Sequence, residues 1–74
     1  MVRLYQAILE TGVCMDTFGD DNGRIHIVLR KNGHKHTFDI GLMGASEETI
    51  TNVVVETVYE FNRFVDRFFD LANA

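Results

Sequence analysis

His34 and His36 stand two apart in the stretch RKNGHKH at 30–36, the spacing that turns both imidazoles to one side of an extended strand. Two imidazoles so placed can serve a transition metal, with Cys14 or Asp16 as a third ligand. Only the His-Lys-His spacing is there, without a second close ligand pair, so two ordinary histidines beside a turn is the better reading and no metal site is assigned. The same stretch carries Arg30, Lys31 and Lys35, which a β-ribbon would use to contact nucleic-acid phosphates. No aromatic residue is interleaved with them to stack on bases, and a charged hairpin that keeps a sheet edge soluble needs nothing more.

The remaining reactive side chains are scattered. His26 and Asp39 would face each other across a hairpin and form an ion pair, but no nucleophile accompanies them: Ser46 is the only serine and is better placed as a helix cap. Cys14, the single cysteine, has no partner for an internal disulfide and no assigned basic neighbour, so it is expected to be a small buried residue. Asp20 and Asp21, followed by Asn22 and Gly23, have the composition of a calcium loop without its spacing or closing glutamate, which leaves a turn. Gly41 and Gly44 belong to no phosphate-binding pattern. No catalytic constellation emerges and no cofactor is implied, so the expectation is a protein that is not an enzyme.

A chain of 74 residues is expected to form one domain over 1–74, because a chain this short buries only about 60% of its unfolded surface. Hydrophobic content of 46% with 24% charged fits a folded domain, and the longest apolar run, VVV at 53–55, is too short to cross a bilayer. The opening MVRLYQAILE lacks the apolar stretch of a secretory leader, and with the lone cysteine this favours a reducing, cytoplasmic setting. The net charge of −4 is unevenly laid out: residues 1–23 hold −3, residues 24–45 hold +3, and residues 46–74 hold −4. An acidic whole opposes phosphate approach and disfavours general polyanion binding.

These side chains must be positioned by a small set of elements. Asn32-Gly33 signals a two-residue type I′ turn, because both central positions require positive φ. That turn sets Lys31 against His34, Leu29 against His36, Ile27 against Phe38 and His26 against Asp39. Alternation then collects Ile25, Ile27, Leu29, Phe38 and Ile40 on one face, leaving His26, Val28, Arg30, Lys35, Thr37 and Asp39 on a solvated one. GDDNG at 19–23 is another turn, so VCMDTF at 13–18 is the neighbouring strand, in a register that sends either Val13 and Met15 or Cys14 and Phe18 inward. Residues 46–72 form one long helix, capped by Ser46, with Glu47 and Glu48 at its positive end. Its apolar stripe runs from Ile50 through Val53, Val54, Val58, Phe61, Phe64, Val65, Phe68, Phe69 and Leu71 to Ala72, with Val55 and Tyr59 as a small secondary patch. Residues 2–11 are read as a helix with Val2, Leu4, Tyr5, Ile8 and Leu9 on its buried side and Gly12 at its end. The fold class is therefore α+β, a three-stranded antiparallel meander with a long C-terminal and a short N-terminal helix on one face, αβββα; extended residues 2–11 would make it ββββα.

Double-stranded-RNA-binding domains share the αβββα order, but they place a lysine-rich cluster at the start of the final helix, where this chain has ASEET at 45–49. The charge is reversed, and no family membership follows from topology alone. A helix of that length extends about 40 Å, whereas strands of seven or eight residues run about 25 Å. Four of the six phenylalanines fall between 61 and 69, on the overhanging part. Phe61, Phe64, Phe68, Phe69 and Leu71, with Val55 and Tyr59, are thus the expected interface of a homodimer or of a protein partner. The function expected is that of a small acidic regulator or inhibitor that binds another protein, of the kind found in phage and mobile elements. Nucleic-acid binding through Arg30, Lys31 and Lys35 and metal binding through His34 and His36 are the alternatives.

Overall fold

The structure is a computed structural model describing the backbone of residues 2–41 and 46–73 and the side chains of residues 3–41 and 46–68. The elements are α1 (Val2–Thr11), β1 (Cys14–Gly19), β2 (Arg24–Lys31), β3 (His34–Gly41) and α2 (Glu47–Asn73), in the αβββα order. Residues 2–11 are helical, not extended, and end where Gly12 takes φ +73° and donates its N–H to the Ile8 carbonyl at 2.9 Å. The strands form one antiparallel sheet in the order β1-β2-β3.

Asn32 at φ 52° and Gly33 at φ 83° make the expected I′ turn, and the β2–β3 register is the one it dictates, from Lys31 against His34 to Ile25 against Ile40. The other turn is built by Asp20, whose Oδ1 accepts the backbone N–H groups of Asn22 at 2.8 Å and Arg24 at 3.1 Å. It sets Met15 opposite Leu29, so Val13 and Met15 go to the core while Cys14, Asp16 and Phe18 go to the open face. Cys14 is therefore exposed, contrary to its expected burial; parity along the strand outweighs the preference of a cysteine for the interior. Val28 departs the other way: it is buried on the open face, between its cross-strand neighbours Asp16 and Thr37.

Ser46 caps α2, its Oγ accepting the N–H of Thr49 at 3.2 Å. The helix lies over β2 and β3, and α1 packs mainly along α2. Ile27 and Leu29 from the sheet, Val54, Val58, Phe61 and Val65 from α2, Ala7 from α1 and Val13 make the core. Leu4, Met15, Ile25, Ile40 and Ile50 are half-buried around an apolar cleft of about 580 Å³ beside it.

Both helices are turned relative to expectation. Ala7 and Thr11 are the buried residues of α1, whereas Tyr5 and Leu9 are 69% and 77% exposed. On α2 the buried stripe shifts toward α1: Val55 is enclosed and Tyr59 half-buried, while Val53 is 47% exposed. The reason is helix against helix packing. Close approach along α2 favours a small residue, and Ala7 and Thr11 supply it where Tyr5 or Leu9 would hold the axes apart. The Thr11 hydroxyl is satisfied in that interface, donating to the Ala7 carbonyl at 2.6 Å and accepting the Val13 N–H at 3.3 Å. Tyr59 donates its hydroxyl to Glu10 Oε2 at 2.7 Å, and Arg3 bonds Asn52 Oδ1 across the same seam.

Candidate functional site

The molecule measures 45 × 25 × 15 Å, the long dimension belonging to α2 and the thinness to a two-layer fold. The hairpin tip meets the C-terminal part of α2. His34 sits edge-on to Phe68 at a centroid distance of 4.9 Å and to Phe64 at 6.0 Å. His36 stacks near Phe38 at 5.6 Å and Phe61 at 6.2 Å. The two imidazoles thus lie on the helix side of β3, as their spacing requires, and serve as amphipathic cover for aromatic rings. Cys14 and Asp16 lie on the opposite face of the sheet, so neither can complete a metal site with them. Among the described residues no group of three His, Cys, Asp or Glu side chains is gathered as a metal would require.

The aromatic cover is incomplete. Phe61 is buried, but Phe64 and Phe68 remain 58% and 52% exposed although their rings neighbour each other and His34. Phe69 and Leu71 belong to α2, with side chains outside the described residues. Of the expected interface residues, Val55 and Phe61 are enclosed within the subunit and Tyr59 is half-buried against α1, which leaves Phe64 and Phe68 as the described apolar side chains that face out. Between them and the start of β3 runs an open groove of about 430 Å³, lined by His34, His36, Thr57, Glu60, Phe61 and Phe64.

The basic cluster does not act as a unit. Lys31 is tucked under the hairpin, its side chain only 18% exposed, and Nζ donates to the Thr11 carbonyl at 2.6 Å and to Asn62 Oδ1, with Asp66 at 3.6 Å. It links β2 to both helices and places a cation at the C-terminal end of α1, whose own last turn has no basic residue. Lys31 was expected to point at phosphates; its pairing with His34 puts it on the helix side, and that parity was already a signal in the sequence. Arg30 faces the open side and pairs with Asp16 at 3.3 Å, while Lys35 has no ion-pair partner among the described residues.

The open face is quilted with paired charges. Asp39 takes Arg24, and His26, although opposite Asp39 as expected, turns to Asp20 Oδ2 at 2.7 Å and stacks on Phe18 with centroids 5.0 Å apart. The expected His26–Asp39 pair is thus replaced, because Phe18 holds the imidazole toward β1 and Arg24 occupies the Asp39 carboxylate. The hydrogen bond from His26, then the backbone N–H of Arg24, hold the Asp20 carboxyl below its ordinary 3.8. Its stabilising effect is therefore complete above that value and disappears as pH falls through the lower folded-state one. Asp20→Asn keeps the turn acceptor but removes the charge; its stability in urea is expected to change less than that of the parent between neutral and strongly acidic pH. An unchanged acid dependence would mean that Asp20 is not part of it. On the far side of the molecule, the Glu10 carboxylate and partial burial push the Tyr59 phenol above its ordinary 10.0.

The chain matches no protein family, no curated protein and no solved structure with which it was compared. Among the described residues no helix is long and apolar enough to cross a membrane. The arrangement presents two exposed phenylalanines beside two imidazoles and a groove, and among the described residues it does not bring a nucleophile, base and oxyanion donor together.

Proposed function

We propose that this protein is a small non-enzymatic regulator or inhibitor that binds a partner protein and forms a homodimer through the aromatic end of α2. The observation that carries the reading is the pair Phe64 and Phe68, more than half exposed on a helix that outruns its sheet. Two adjacent exposed rings flanked by polar residues are the composition of a contact surface, since aromatic anchors dominate interface energetics. Arg63 and Arg67 beside them balance Glu60 and Asp66, so it is the net charge of −4 over the whole chain that opposes nucleic acid. With Lys31 committed internally, the nucleic-acid alternative rests on Arg30 and Lys35 alone, and Arg30 already has a carboxylate partner.

The double variant Phe64→Ser/Phe68→Ser tests it. Sedimentation of the parent at high micromolar concentration is expected to show a dimer, and the double variant a monomer of unchanged circular dichroism with dissociation constant raised by a hundredfold or so, the scale of losing two anchors. A monomeric parent that binds no hydrophobic dye would remove the support for association.

A further inference from the structure

The exposed flank of α2 stands directly above a free sheet edge, and that edge complements itself. We infer that two copies join edge to edge along β3, antiparallel, about a dyad through Thr37, forming a continuous six-stranded sheet with the two α2 helices side by side. The inference deepens the associative reading above and rests on it.

Three observations converge. First, the I′ turn makes Lys31 and His34 a hydrogen-bonded pair, and alternation along the ladder makes Leu29–His36 and Ile27–Phe38 pairs of the same kind. The backbone N–H and C=O groups of Lys35, Thr37 and Asp39 therefore point away from β2, into the free edge. Second, a dyad at Thr37 sets Lys35 of each copy opposite Asp39 of the other on the open face, where Arg24 holds Asp39 Oδ2 and Oδ1 is left to accept from Lys35, giving two opposite-charge pairs, and sets His36 opposite Phe38 on the helix face, giving two ring pairs. Moving the dyad to His36 or Phe38 sets Lys35 against Thr37 or Gly41 and loses both charge pairs. The other free edge has no such option, because β1 carries Asp16 and no basic residue. Third, α2 lies over β2 and β3, so with strands about 4.8 Å apart the dyad brings the two helices to roughly 10 Å, a normal helix packing distance.

The flank that would meet is the apolar one left open. Thr57, Glu60 and Phe61 stand level with His36, beside the dyad, so Phe64 of one copy runs toward Val53 of the other, and the groove between β3 and α2 is closed by the second copy. β3 has no proline or bulge to discourage pairing, which for an edge strand in a monomer is a liability and in a dimer is a requirement.

Charge exchange tests the register. Lys35→Glu alone and Asp39→Lys alone each oppose like charges at two places and are expected to weaken self-association by about tenfold. Mixed in equal amounts, the two variants restore both pairs and are expected to associate with each other as tightly as the parent does with itself, seen by sedimentation or by native mass spectrometry of the heterodimer. Thr37→Pro removes an N–H that points away from β2, and is expected to give a folded monomer. Parent-like dimers from either single charge variant, or a mixture that stays monomeric, overturn the β3 register, and if Phe64→Ser/Phe68→Ser still dissociates that dimer the associative reading survives without it. A parent that is monomeric under the same conditions overturns both, and higher polymers in place of a dimer overturn the dyad. Should Thr37→Pro fail to fold, the charge exchange decides.

Discussion

Leu29→Ala is expected to destabilise the protein by about 3–4 kcal/mol, the largest effect of any conservative truncation considered. Leu29 is fully enclosed in the central strand, between Met15 and His36 across the sheet and within the core cluster shared with α2. Shortening it removes about three methylene-sized groups from the place where both layers meet, and a sheet held on each side by turns has little freedom to collapse into the gap. A domain of this size has on the order of 5 kcal/mol in total, so the variant is expected to be partly unfolded without denaturant. Urea unfolding followed by circular dichroism measures the shift. Leu9→Ala on the outer face of α1 is the control, expected to change stability by no more than about 0.5 kcal/mol because its side chain is already in water. Equal losses from the two leucines would contradict the placement of the core.

Lys31→Ala is expected to cost about 2 kcal/mol, whereas Lys35→Ala, four residues along the same basic stretch, is expected to cost almost nothing. The difference is one of side. Lys31 donates to the Thr11 carbonyl at the end of α1 and to Asn62 on α2, and truncation leaves that carbonyl and amide in a partly buried place without their cation. Within one subunit Lys35 makes no contact of this kind among the described residues and is exposed on the open face. Because hydrogen bonds and packing of the stem are both lost, Lys31→Met should recover part of the stability by keeping the stem. A double-mutant cycle of Lys31→Ala with Asn62→Ala is expected to show a coupling of about 1 kcal/mol. No coupling, with the full loss still present, would assign the effect to the Thr11 carbonyl and the packed stem.

The two lysines show how far the sequence could be read. Asn32-Gly33 has one economical backbone solution, and with the register it sets, every side chain of β2 and β3 is assigned to a face before any tertiary contact is considered. The capped helix from Ser46 and the glycine that ends α1 were legible for the same reason, since they depend on positive φ and on backbone groups a few residues away. The candidate site was legible in part: the excess of phenylalanine over sheet was visible, and Phe64 and Phe68 are indeed exposed. Phe61 and Val55 were not distinguishable from them by periodicity, because a wide apolar arc marks which residues can be buried without saying which neighbour will bury them.

Composition and spacing alone thus determined the elements, their order, the hairpin register and the charge layout, all of which follow from interactions between residues close in the chain or from strict alternation. Only the tertiary structure decided that α1 lies along α2 on Ala7 and Thr11, that Lys31 ties the hairpin to both helices, and that His26 takes Asp20 in place of Asp39. Those choices turn on side chains distant in sequence competing for the same partner or the same space, and their outcome depends on distances that no local pattern encodes.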